Sequence, residues 1–126
     1  MPNIITHIVS LCYKPSTSSA EKHLVGSRFL ALQDQCLLPS SWTAAEDQAG
    51  KPYLSVTGGR NNSPEGANKG FEHAWVVTFD SIEARDYYLD TDPVHQDFKA
   101  FVKDFVEDVF VVDFEAGVFS IFECSR

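Results

Sequence analysis

Apolar side chains along this chain recur every second residue, then at helical spacing, then twice more every second residue, then helically, and last every second residue again. A strand and a helix each bury one face only when the pattern matches their own geometry, so this succession restricts the fold severely. Residues 4–13 open the series: Ile5, His7, Val9, Leu11 and Tyr13 share one face of a strand, and Ile8 and Cys12 lie on the other. Both faces are fairly apolar, so both are expected to be covered. Ser18 followed by Glu21 fits a capping box, and Val25, Phe29, Leu32 and Cys36 then recur at helical spacing until the chain nears Pro39. His23 lies off that stripe and is expected in solvent. Residues 40–52 are polar, hold Gly50 and Pro52, and read as a surface loop.

A second strand over residues 53–59 leads into a turn-rich loop that reaches Gly66, and residues 71–79 form a third strand in which His73, Trp75, Val77 and Phe79 share a face. Asp80 or Ser81 can cap a short helix running through Leu89. Asp92 can cap another, with Pro93 at its first position and Phe98, Phe101, Val102 and Phe105 on its buried side. Residues 108–115 supply a fourth strand, and Val118–Phe122 is apolar enough to pack against something. The order is that of an α+β, ferredoxin-like βαββαβ unit, an antiparallel sheet with helices on one face only. The other sheet face is too apolar to leave in water, and a two-fold homodimer buries it most simply. Residues 1–126 are expected to be one domain, with its core over 4–115 and a tail over 116–126.

The supply of rings supports a substantial core: the 126 residues include ten Phe, four Tyr and two Trp, and each buried ring removes about 150–250 Å² from water. A net charge of −8 without a cluster of Lys and Arg argues against nucleic acid and anionic membranes as partners. Cys12, Cys36 and Cys124 are an odd set without a CxxC spacing, and Met1-Pro2-Asn3 lacks the basic and apolar regions of a signal peptide. The expected compartment is the cytoplasm, with the thiols reduced. Cys12 reads as core filler rather than nucleophile. Ser63-Pro64-Glu65-Gly66 lacks the glycine spacing and lysine of a phosphate loop and reads as a shaped connection.

The stretch Gly59-Arg60-Asn61-Asn62-Ser63-Pro64-Glu65-Gly66, with Gly70-Phe71-Glu72-His73-Ala74 and Val76-Val77-Thr78-Phe79 after it, resembles the stress-responsive dimeric α/β-barrel family. Thr6-His7-Ile8-Val9, Asp92-Pro93-Val94-His95 with Phe98, and the Val-Val-Asp-Phe that ends at Phe114 extend the likeness over residues 4–115. The resemblance implies a dimer whose two sheets form a barrel, with a pocket between each sheet and its helices. Some members, the plant olivetolic acid cyclase among them, close linear polyketides by aldol condensation with a Tyr and a His and neither metal nor organic cofactor. Other members are known only as stress-induced proteins. Fungal members often sit beside biosynthetic enzymes, which implies a natural-product role. By position the resemblance makes His95 the catalytic histidine and Tyr88 the tyrosine, although Tyr87 is adjacent and either ring can face inward. It makes His7 and His73 the pocket histidines and puts Phe29 where a pocket tyrosine stands. Asp92 replaces a histidine.

An aldol cyclisation needs a base for a C–H proton and a donor for the oxygen that becomes negative. The helix start before His95 favours a neutral ring, whereas the Asp92 carboxylate acts the opposite way. Tyr88 would stay protonated and donate. The bland alternative is that His95 packs at the helix start and Tyr88 anchors a helix. His7 and His73, on neighbouring strands, are expected side by side, either orienting substrate or satisfied as core histidines through Asp113. No spacing supports a metal site. The leading expectation is a cofactor-free enzyme, a polyketide cyclase or related lyase or isomerase acting on a hydrophobic small molecule, in a cavity lined by Val9, Leu11, Phe29, Trp75, Val77 and Val111. The rivals are a non-catalytic stress-responsive dimeric binding protein, its space plugged by phenylalanine, and a cofactor-independent oxygenase.

Overall fold

The computed structural model describes residues 4–120, so the end of the apolar tail at Phe122 and Cys124 lie outside the described residues. The chain folds as an α+β, ferredoxin-like unit. Its elements are β1 (Ile5–Tyr13), α1 (Ser19–Gln35), β2 (Leu54–Arg60), β3 (His73–Phe79), α2 (Ile82–Asp90), α3 (Pro93–Val102) and β4 (Val106–Glu115). The four strands form one antiparallel sheet in the order β2-β3-β1-β4.

Local chemistry places the helix starts. Ser18 and Glu21 close a reciprocal capping box on α1. Ser81 accepts from the Ala84 N–H at the start of α2, and Asp92 accepts from the Val94 N–H ahead of Pro93 at the start of α3. Asp92 does more than cap. It is buried and also accepts the Tyr53 hydroxyl at 2.6 Å, tying α3 to the segment that enters β2.

The odd-numbered residues of β1 face the helices and are buried with Val25, Phe29 and Leu32 of α1 and Trp75, Val77 and Phe79 of β3. The even-numbered face of β1 is only half-buried, and on β4 Phe110, Val112 and Phe114 are more than two-fifths exposed. Among the described residues no helix covers that face, and Phe71 of the loop before β3 meets Phe110 edge-on there. Its counterpart on β4, carrying Val109 and Val111, is also open at its outer edge.

Several expectations from the sequence need adjustment, among them the third strand, which starts at His73 and not at residue 71. Phe105 does not belong to α3, which ends at Val102; it sits in the turn before β4, where its carbonyl accepts the Lys14 N–H and the Thr17 hydroxyl. The 40–52 connection carries a turn of 3₁₀ helix at Glu46–Gln48 and a bridge between Leu37 and Pro52. β4 starts at Val106, two residues before the expected position, and its register with β1 shifts between Cys12 and Tyr13. Cys12 lies half-buried on the outer sheet face, and Cys36 is buried. No helix among the described residues is long and apolar enough to cross a membrane.

Candidate active site

The sheet register decides which polar groups meet. His7 stands directly across from Asp113 on β4 and from Val77 on β3, whereas His73 stands across from Leu11. His7 and His73 therefore share a face but sit four rungs apart on the β1–β3 ladder, and the expected side-by-side pair does not form. His73 instead bonds the Tyr13 hydroxyl at 2.7 Å, and its burial pushes its pKa below the usual histidine value. The satisfied-core reading describes His7 in part: its Nδ1 lies 2.5 Å from Asp113 Oδ1, and Arg85 on α2 donates to Asp113 Oδ2 at 2.8 Å. A carboxylate only accepts, so Nδ1 of His7 carries the proton of that bond.

A cavity of about 750 Å³ opens between β1, β4 and α3. That size lies within the range of small-molecule sites, about 300–1,000 Å³. Val9, Leu11, Phe29 and Val111 supply apolar wall, His7, Asp113 and His95 bring polar groups to it, and Tyr88 lines it beside them. Trp75 and Val77, expected on this wall, do not reach it. Val77 is sealed in the core, and Trp75 with His73 faces a different cavity beneath α1. Lys99 and Lys103 also line the His95 cavity. Their spacing of four and eight residues after His95 aligns Lys99 of α3 and Lys103, the residue that caps its end, with His95, a signal present in the sequence. Phe98 and Val102 line it from that helix too.

Tyr88 and His95 meet as a stacked pair, with ring centroids 3.7 Å apart and planes 14° from parallel. The choice between the two tyrosines is settled by packing: Tyr87 turns away to meet Trp42 and Tyr53 edge-on. His95 Nδ1 lies 2.7 Å from the Tyr88 backbone carbonyl. A carbonyl only accepts, so Nδ1 is the protonated nitrogen and Nε2 holds the lone pair. Burial lowers the His95 pKa from 6.5 to about 4, against the opposing pull of the Tyr88 carbonyl, with Lys99 and His7 acting in the same direction as burial and Asp92 the weakest opponent. The conflict between helix start and Asp92 is thus decided by desolvation.

The Tyr88 side chain is fully buried, and its hydroxyl has no hydrogen-bond partner among the described residues. Burial raises its pKa well above the ordinary phenol value, so it is a donor at neutral pH. A neutral imidazole with its lone pair uncommitted therefore stands at the wall of a largely apolar cavity, stacked on a phenol whose proton is uncommitted among the described residues. Such a pair can remove a proton from carbon and hold the oxygen that turns negative. Among the described residues no three His, Cys, Asp or Glu side chains cluster as metal ligands would.

A family model described as the stress responsive A/B barrel domain matches residues 5–116. No curated protein matches the sequence. Among solved structures, the hydroxynitrile lyase from Passiflora edulis is similar with a TM-score of 0.74 at 21% identity, over 95% of this chain and 100% of that one. A protein from Arabidopsis thaliana follows with a TM-score of 0.69 at 20% identity, over 93% and 99% of the two chains. A dimeric ferredoxin-like protein of unknown function from Thermobifida fusca is similar with a TM-score of 0.65 at 18% identity, over 89% and 90%. At these identities the likeness extends to the fold.

Proposed function

This chain belongs to the stress-responsive A/B barrel family, and from that premise we propose that it is a small-molecule enzyme making or breaking a carbon–carbon bond beside a carbonyl, with His95 as base and Tyr88 as oxygen donor. One observation carries the reading: the Tyr88 carbonyl holds His95 Nδ1, which leaves Nε2 as a free base next to a buried hydroxyl that has no other partner among the described residues. In the aldol direction, Nε2 takes a proton from a carbon flanked by carbonyls. The electron pair moves onto oxygen, which the Tyr88 hydroxyl stabilises. The enolate carbon then attacks a second carbonyl, whose oxygen takes the proton back from the imidazolium. In the reverse direction the same groups cleave a β-hydroxy carbonyl compound, and the deprotonation of a hydroxynitrile is closely related chemistry. The apolar wall favours a hydrophobic substrate, and we assign the aldol cyclisation of a linear polyketide as its most specific form.

The protein works as a homodimer on this reading. Phe110, Val112 and Phe114 form an exposed apolar face, monomeric proteins rarely leave such a patch uncovered, and similar folds are described as dimeric. The test is turnover of β-polyketide thioester analogues and an aromatic hydroxynitrile by wild type, His95→Gln and Tyr88→Phe. Loss of about 10²–10⁴-fold in each variant with folding intact is expected. Ligand binding without turnover in the wild type would sink the enzyme reading and leave a dimeric binding protein.

A further inference from the structure

We infer that the stacked rings of Phe29 and Trp75 form a partition that sets the length of ligand the His95 cavity accepts. Phe29 lines that cavity, whereas Trp75 lines a second one of about 440 Å³ between α1 and the β2 side of the sheet. The two rings lie face to face, with centroids 4.4 Å apart and planes within 5° of parallel. Both side chains are almost wholly buried, so this pair of rings stands between the two volumes.

The partition is braced from both sides. Phe98 on α3 meets Phe29 edge-on at 5.3 Å, and His73 meets Trp75 edge-on at 5.7 Å. One glycine gives Trp75 its room. A Cβ at Gly58 would overlap the Trp75 ring, so the indole lies against β2 only because that residue has no side chain. Gly26 of α1 lines the second cavity, where a Cβ would meet the His73 ring at an ordinary contact distance of 3.9 Å. The closure therefore comes from aromatic packing and not from charge. Truncating Phe29 should deepen the His95 cavity as far as the Trp75 ring, because packed cores relax only partly around a deletion.

This inference rests on the reading of the His95 cavity as a ligand site, and the experiment separates the two. A homologous series of straight-chain 2-alkanones, lengthened one methylene at a time, is titrated calorimetrically into wild type, Phe29→Ala and Phe29→Leu. Each methylene that finds apolar wall should tighten binding by about fourfold. In the wild type the gain should stop once the chain meets the partition. In Phe29→Ala it should continue into longer ketones, and in Phe29→Leu it should stop at an intermediate length. Circular dichroism establishes folding, and Phe29→Leu carries the comparison alone if Phe29→Ala does not fold. A gain that stops at the same chain length in wild type and variants overturns the partition, as does a uniform weakening at every length. Failure of every ketone to bind the wild type sinks the ligand site itself, and the partition with it.

Discussion

Removing the Tyr88 hydroxyl should make the protein more stable while it slows the proposed turnover about 10²-fold or more. The side chain is fully buried, and its oxygen finds no partner among the described residues. Burying a hydroxyl without a hydrogen bond costs about 1–3 kcal/mol, and replacing it with hydrogen leaves the apolar contacts in place. The phenyl ring that remains in Tyr88→Phe would keep the stack on His95 and the tilted contact with Phe79 at 5.2 Å. The expected gain is therefore about 1–2 kcal/mol, which for a domain of this size raises Tm by roughly 3–8 °C. Urea titration followed by tryptophan fluorescence measures it, with the midpoint moving and the slope unchanged. The same preparation should lose about 10²-fold or more in turnover, because the oxyanion loses its donor. A variant destabilised by about 1 kcal/mol or more would show that the hydroxyl is satisfied in the folded protein, and the argument for a donor held ready would fail.

The remaining predictions concern charge and assembly. His95 keeps a folded pKa of about 4 against 6.5. Above the upper value neither state binds the proton; between the two only the unfolded chain does, so stability falls as pH drops through that window by up to about 3 kcal/mol. Urea midpoints of wild type and His95→Gln between those limits check it, and equal slopes against pH would refute the depressed value. The acid limb of turnover should likewise lie nearer the lower value. Asp113→Ala should lower stability by about 1–2 kcal/mol, because it releases His7 and removes the bond that ties Arg85 to β4, leaving Arg85 with Asp86. Its effect should also appear as a change in the His7 nitrogen resonances, and an unchanged spectrum would mean the pair does not form in solution. Val112→Glu combined with Phe114→Lys puts charge on the exposed apolar face; sedimentation should show a monomer, and an unaltered dimer would place the interface elsewhere.

Much of the site's parity was legible in the sequence. A strand's side chains alternate with a period of two, so His7, Val9 and Leu11 had to share a face, as did Val109, Val111 and Asp113. Once β1 and β4 are neighbours, the meeting of His7 with Asp113 follows from that alternation plus one register. The caps at Ser18, Ser81 and Asp92 were legible for a similar reason, because capping is a contact between near neighbours in the chain. The stripe His95, Lys99, Lys103 is legible on the same grounds, because residues four apart on a helix are neighbours.

What the sequence determined by itself is everything that depends on short-range periodicity: the element order, the ferredoxin-like architecture and the apolar outer face of the sheet. Tertiary structure alone decided the rest. It separated His73 from His7 by four rungs, because register is set by connections and packing rather than by alternation. It turned Tyr88 rather than Tyr87 towards His95, because the rotation of α2 depends on what Trp42 and Tyr53 occupy. It moved Trp75 from the cavity wall into a stack with Phe29, where the space left by Gly58 lets the indole lie. It also aimed Nδ1 of His95 at a carbonyl seven residues away and so chose which nitrogen is free. These outcomes depend on groups that are distant in sequence or oriented by packing, and no local pattern of residues encodes such distances.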